Sequence, residues 1–231
     1  MGKLGYGYGS EFHLLRWMGR HRTKFDKRVC EALNVTDVKW FDFKFDAKKE
    51  IPDRELVGLE FIKEHPLDKD GQRFAKVLKA FKDHWPQRGN QMNWDAVGMA
   101  GDTYILCEAK AHIGEIEKKN KDSDKTRSAR DRIKAFKFAK KEIHACENAD
   151  WFHNFYQMAN RLYILALLKK YNIRAMLLNI YFCGDRFRGR KCPAKAEEWG
   201  KIIKDEYETL GITGNSFVEE RVKHLFLPID Q

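Results

Sequence analysis

The sequence predicts an α/β sandwich, a mixed sheet flanked by helices. Three observations predict it. Asn93 to Met99 and Thr103 to His112 are β-rich runs joined by Ala100-Gly101-Asp102, a hairpin signal. Arg174 to Cys183 is a continuous apolar run, which reads as a buried central strand. Between them lie two helical patterns, a basic one over about 124–146 and a strongly apolar one over 151–171.

The remaining elements follow from local chemistry. Ser10 is placed to cap a helix over 11–21 after a glycine-rich lead. Val38 to Phe45 alternates and is rich in β-formers, so it reads as a strand. Residues 53–64 and 71–84 read as weaker helices, and about 194–209 and 215–224 as two closing ones. The core order is helix, strand, strand, strand, helix, strand. No repeat or low-complexity linker interrupts it, so residues 1–231 read as one domain. That domain carries a basic helical insertion over about 115–148 and a C-terminal helical extension over about 194–231.

A chain of 231 residues, 43% hydrophobic and 34% charged, buries enough surface to fold without disulfides or a structural metal. No run approaches the ~18 apolar residues of a membrane span. The first residues lack the apolar stretch of a secretion signal. The five cysteines, at 30, 107, 146, 183 and 192, form no C-x-x-C pair, which predicts reduced thiols, a cytoplasmic setting and no zinc site.

The net charge of +10 is uneven. Lys118 to Lys141 holds eleven Lys/Arg against three Asp, and Arg186 to Lys191 holds four cations in six residues. Such clusters attract polyanions, of which nucleic acid is the commonest. Arg130, Lys134, Lys137 and Lys141 on the helix, and Arg186 and Arg188 in the loop, are the candidate backbone contacts, and a merely solvated helix face is the alternative. The stripe Ile133, Phe136, Ala139 and Ile143 is too thin for a membrane-surface helix.

The strand 103–112 carries the chemistry. Ile105, Cys107, Ala109 and Ala111 share one face, and Leu106, Glu108, Lys110 and His112 the other. Two charges on so apolar a strand are costly unless paired or metal-bound. The hairpin partner brings Asp95 near Glu108, and two carboxylates sharing one cation select Mg²⁺ or Mn²⁺ over zinc. The Glu-x-Lys pattern alone is weak, since five [DE]-x-K matches occur. Asp42-Phe-Lys44 is a rival on a strand but has no hairpin acid upstream. An ordinary salt-bridged edge strand also fits the spacing.

Asp95-x12-Glu108-Ala-Lys110 resembles the PD-(D/E)xK nuclease superfamily over about 9–21 and 93–183, with Trp94 where the motif's proline would stand. The resemblance implies a restriction-endonuclease-like α-β-β-β-α-β core. It implies Mg²⁺- or Mn²⁺-dependent hydrolysis of phosphodiesters, usually in DNA. Asp95, Glu108 and the Ala109 carbonyl would hold the metal, and Lys110 would serve the attacking water.

Two helices add candidates. Glu11 stands at the head of the stripe Leu14, Leu15 and Met18, where many members of the superfamily carry an acid near the metal. His13, Arg16 and Arg20 form a basic face for phosphate. On 151–171, His153, Gln157, Asn160 and Arg161 form a polar stripe. Gln157 resembles the glutamine that exonuclease-type members place after the motif strand, and Arg161 is a further candidate for nucleic acid. The alternative for Glu11 is an acid that merely favours the helix N-terminus electrostatically, and for Gln157 it is hydrogen-bonded helix packing. Two other classes stay open: a non-cleaving nucleic-acid-binding module on the same fold, and a basic protein-interaction module.

Overall fold

A computed structural model describes residues 7–41, 44–46, 51–54, 56–66, 71–87, 92–117, 120, 123–186 and 189–229. Along the chain run α1 (Ser10–Arg20), α2 (Arg22–Leu33), β1 (Lys39–Trp40), β2 (Lys44–Asp46), β3 (Ile51–Arg54), β4 (Leu56–Val57), α3 (Glu60–Glu64) and α4 (Gln72–His84). There follow β5 (Asn93–Trp94), β6 (Ala96–Ala100), β7 (Thr103–Lys110), α5 (Ile113–Ile116), α6 (Arg127–Ile143) and α7 (Tyr156–Lys170). β8 (Ala175–Cys183), α8 (Ala196–Thr209), α9 (Ser216–Arg221) and β9 (Val222–Pro228) complete the described residues.

The main sheet has the order β1-β6-β7-β8-β9. β1 and β6 pair antiparallel, as do β6 and β7, whereas β7, β8 and β9 run parallel. The chain is thus an α/β fold on a mixed five-stranded sheet. The hairpin closes at Gly101, which takes φ 56, and Ala100 pairs with Thr103. The parallel step from β7 to β8 passes through α6 and α7, as a same-direction neighbour requires.

The sheet divides the core. On one side Leu14 and Trp17 of α1 and Phe25, Val29 and Leu33 of α2 pack on Ile105, Cys107, Ala109 and Leu178. On the other side α4, α6, α7 and α8 pack on Tyr104, Leu106, Leu177 and Tyr181. β7 therefore presents the two faces that its alternation predicts. In α7 every residue from Met158 to Leu168 is buried. A helix that is buried all round lies inside the molecule, and α6 covers it with Ala129, Phe136, Ala139 and Ile143.

Several expectations are corrected. Ser10 is the first helical residue, not the cap: Gly9 precedes the helix and no side chain caps it. Of the helix expected over 53–64, only Glu60–Glu64 is helical. Pro52 biases its predecessor toward extended backbone, Leu56 pairs with Trp94, and Gly58 turns at φ 54. The strand expected over 38–45 is interrupted: β1 joins the main sheet, β2 pairs with β3, and Asp42 and Phe43 lie outside the described residues. The C-terminal extension is not wholly helical. It ends in β9, whose Leu225 and Leu227 bury against the α1/α2 side. The basic segment is no appendage, because α6 belongs to the core.

Gly211 stands after α8 at φ 62, and a Cβ there would overlap the Cβ of Cys146. Gly214, at φ 68, has open space around it. Gly211→Ala should therefore cost roughly 2–5 kcal/mol of stability, left-handed strain plus overpacking. Gly214→Ala should cost only the strain, about 1–2 kcal/mol. Urea unfolding of both variants checks this, and equal losses would refute the overlap.

Candidate active site

The pairing of β6 with β7 breaks at Asp95, which sits between β5 and β6. Its backbone N–H still donates to the Cys107 carbonyl at 3.2 Å. Its Oδ2 accepts from the Ala109 N–H at 2.6 Å. A residue's N–H and C=O leave a strand on the same side, so the Ala109 carbonyl is aimed at the edge that carries Asp95.

Glu108 lies one residue earlier on the opposite face and is only 4% exposed. Its Oε1 accepts from Lys110 Nζ and from Gln157 Nε2. Its Oε2 accepts from Nε of Arg161 at 2.8 Å and from Nη2 of the same guanidinium. Lys110 Nζ also donates to Gln157 Oε1 at 2.7 Å. Gln157 and Arg161 are one turn apart on α7, so one helix face delivers both. Arg161 is fixed in turn by the Asn93 carbonyl at 2.6 Å and by the Trp94 ring, whose centroid is 4.5 Å away.

The two acids differ in charge state. Burial pushes the Asp95 carboxyl up to about 7, the charge on Glu108 adds to the rise, and Lys110 opposes it. Burial would raise Glu108 as well, but Arg161 and then Lys110 outweigh it and hold that carboxyl below its ordinary value.

Asp95, Glu108, Ala109, Lys110 and Gln157 line a cleft of about 360 Å³ that Ser10, His112, Gly114, Glu115 and Arg190 complete. Glu115 ties this rim together. Its Oε2 accepts from the N–H groups of Ala111 (2.6 Å) and His112 (3.2 Å), and its Oε1 from Ser10 Oγ at 2.9 Å. The loop that bears Arg190 is docked by the Ile113 N–H donating to the Lys191 carbonyl at 3.0 Å.

The predicted residues therefore divide. Asp95, Glu108, Ala109, Lys110 and Gln157 converge on one cleft. Glu11 does not line it: that side chain is exposed on α1, and Ser10 is the α1 residue at the rim. His13 is corrected from a phosphate contact to a buried residue, 2% exposed, with Nε2 3.0 Å from Asp185 Oδ1. Arg16 is half-buried and donates to the Ile229 carbonyl at 2.6 Å. Arg161 is corrected too: at 3% exposure it faces Glu108, not solvent. Arg130, Lys134, Lys137 and Lys141 are exposed along α6, and Arg186 is exposed beyond β8, whereas Arg188 lies outside the described residues. None of Arg130, Lys134, Lys137, Lys141 and Arg186 lines the cleft.

Sequence reasoning missed Glu115 and Glu206, whereas Arg190 belongs to the Arg186–Lys191 cluster that it singles out. Glu115 carried a signal, since an acid three residues after a strand-ending His112 fits a capping box. Glu206 carried another: it falls in step with Trp199, Ile203 and Leu210 on the buried face of α8.

Among the described residues no three His, Cys, Asp or Glu side chains gather into a metal-holding group. The donor chemistry nevertheless suits a hard cation. Two carboxylates and a main-chain carbonyl are oxygen ligands of the kind Mg²⁺ takes alongside waters, and burial, with the charge on Glu108 adding to it, makes a second negative charge at Asp95 costly without a cation. Compared with known proteins, the chain matches no family model, no curated protein and no solved structure. Among the described residues no helix is long and apolar enough to cross a membrane.

The raised Asp95 has a stability consequence. Between its unfolded value near 4 and about 7 the folded protein holds a proton that the unfolded chain has released. The stability this contributes is complete below pH 4 and is lost as pH rises through 7. Asp95→Asn keeps the bond from Ala109 and has no proton to lose. In chelator, the variant should be the more stable protein at pH 8, and the difference should close toward pH 4.5. Urea midpoints at the two pH values measure it, and a parent protein at least as stable as the variant at pH 8 would contradict the assignment.

Proposed function

We propose that the chain is a metal-dependent nuclease of the PD-(D/E)xK type, hydrolysing phosphodiester bonds in nucleic acid, with DNA as the preferred substrate. One observation carries the reading. Asp95 before β6, Glu108 and Lys110 on β7 and Gln157 on α7 meet at one open cleft beside an outward carbonyl. A salt bridge serving stability alone has no need of a second acid kept at the same edge. The five free cysteines accord with work in the cytoplasm.

Asp95, Glu108 and the Ala109 carbonyl would hold Mg²⁺ or Mn²⁺. When bound, the ion supplies Lewis acidity and a water of lowered pKa. Lys110 would orient the attacking water and stabilise charge developing on the phosphate oxygens, as a compact cation does. Gln157 holds Lys110 and Glu108 in register, and Arg161 keeps Glu108 ionised and fixes its rotamer. Arg190 at the rim and the exposed row on α6 would grip phosphates, contacts that position the strand and do not read its sequence.

A second reading rests on a specific observation as well. Both Glu108 oxygens are already bonded by protein donors, which is what a non-cleaving nucleic-acid-binding module would retain. Cleavage separates the two. Circular and linear, single- and double-stranded substrates are incubated with Mg²⁺, Mn²⁺ or EDTA. Metal-dependent cleavage should appear, and Glu108→Gln, Lys110→Ala or Asp95→Ala should each lower the rate on the order of 10²-fold or more. Parent-like cleavage by Glu108→Gln would remove this site from the reaction.

Binding tests the polyanion part alone. If about four to six phosphates are neutralised on duplex DNA, log Kd against log salt should have a slope of magnitude about 4–5. Neutralising Arg130, Lys134, Lys137 and Lys141 together should flatten that slope and leave the metal requirement unchanged. A slope near zero in the parent protein would exclude nucleic acid as the partner.

A further inference from the structure

Beside the open cleft lies a second, smaller space of about 20 Å³. That is room for one water molecule. It shares Glu108, Lys110, Glu115 and Gln157 with the cleft, and Arg161 of α7, Asn179 and Tyr181 of β8 and Glu206 of α8 complete its polar lining. Glu206 is 4% exposed and Asn179 5%.

The polar atoms around this space are incompletely served by protein partners. Nδ2 of Asn179 and Nη1 of Arg161 are buried without a hydrogen bond. Lys110 uses two of its three N–H donors, on Glu108 and Gln157. Glu206 brings a carboxyl to the same lining. A polar chamber lined by several donors and an acid, and large enough for one water, is where a buried water is retained.

We propose that the chamber holds one ordered water linking Lys110 to Glu206, and that Glu206 is a positioning residue for the Lys110 ammonium. The water accepts from Lys110 and from Asn179. Both oxygens of Glu108, both of Glu115 and Oε1 of Gln157 are taken by protein donors, so the lone pairs that receive the water's own protons come from Glu206. Lys110 is then held from the cleft side by Glu108 and Gln157 and from behind by the water. All three of its donors are committed, and its nitrogen has one place to stand. Burial pushes Glu206 up to about 8, with Lys110 pulling the other way and Glu108 adding to the rise. Glutamine copies the carboxyl in shape and keeps an acceptor oxygen for the water.

The kinetic consequence of this link rests on the nuclease reading, whereas the water itself does not. The test therefore has two arms. Crystals of the parent protein, Glu206→Gln and Glu206→Leu, grown in chelator, are examined for ordered water and for the position of Lys110 Nζ. The kcat and KM of the same proteins are measured on whichever substrate the parent cleaves.

The parent and Glu206→Gln should show a water within hydrogen-bond distance of Lys110 and residue 206. Glu206→Leu should lose the water and displace the ammonium. Removing a partner that acts through another residue typically costs 10–100-fold. We therefore expect kcat of Glu206→Leu to fall about 10–100-fold with KM changed by less than about twofold, and Glu206→Gln to recover most of the rate.

A dry chamber in the parent, an unmoved Lys110 in Glu206→Leu, or parent-like turnover by that variant overturns the proposal. If Glu206→Leu does not fold, Asn179→Leu removes the opposite polar wall and is held to the same outcomes. If the parent cleaves no substrate, the nuclease reading falls, and the crystallographic arm still decides the water and its hold on Lys110.

Discussion

Glu108 is a carboxylate on the middle strand of a sheet, sealed from water on nearly every side, and its neighbours are arranged by the need to keep it charged. Burial pushes such a group toward its neutral form. The Arg161 guanidinium, presented with two nitrogens to one oxygen, reverses that push, and Lys110 completes the reversal at the other oxygen. Removing one partner of a buried pair leaves an uncompensated charge, a loss of about 3–5 kcal/mol. The fold must therefore hold α7 in one place and one rotation. It does so by burying that helix on all sides, between the sheet and α6. Trp94 and the Asn93 carbonyl seat the guanidinium from β5, so the strand break at Asp95 belongs to the same construction.

That break gives the cleft its asymmetry. Two carboxyls stand side by side, Glu108 on β7 held ionised by two cations and Asp95 at the break pushed up to about 7 by burial and by the first. Environments that drive two like groups apart are a recurrent way of assigning them different roles. Asp95 takes one main-chain donor on Oδ2, from Ala109, while Glu108 is bonded at both oxygens. The less committed acid thus faces the open cleft, and the fully committed one forms its back wall.

The central part of this arrangement was legible in the sequence because it depends on alternation and spacing. Strand parity alone put Glu108 and Lys110 on one face and Ile105, Cys107 and Ala109 on the other, and the hairpin signal brought Asp95 beside them. Helical spacing put Gln157 and Arg161 on one stripe. What parity cannot say is which end of a stripe meets solvent. His13 and Arg161 were read as exposed because they are polar, yet each is buried opposite an acid distant in sequence, Asp185 and Glu108. Glu11 failed for the opposite reason: heading an apolar stripe does not bury a residue on the first turn of a helix, where the chain has yet to be covered. β9 was hidden because Val222 to Pro228 follows a helix directly, and its pairing with β8 is a contact between segments about forty residues apart.

The saturation of Glu108 bears on how a cation would be accommodated. On the nuclease reading, the oxygen that faces the cleft is Oε1, and its donors are Lys110 and Gln157, which also bond each other. Oε2 is held by Arg161, deep in the core and braced by Trp94 and Asn93. A ligand exchange at Oε1 can proceed while the Arg161 bonds stay intact, so the carboxylate keeps its rotamer and its charge. On that reading Lys110 and Gln157 would keep their bond to each other on releasing Oε1, which would leave the ammonium at the cleft wall. Asp95, pushed up to about 7 by burial, would give up its proton more readily as positive charge arrived. The four donors on Glu108 thus separate into a buried pair that holds it ionised and a pair at the cleft that a bound cation would displace.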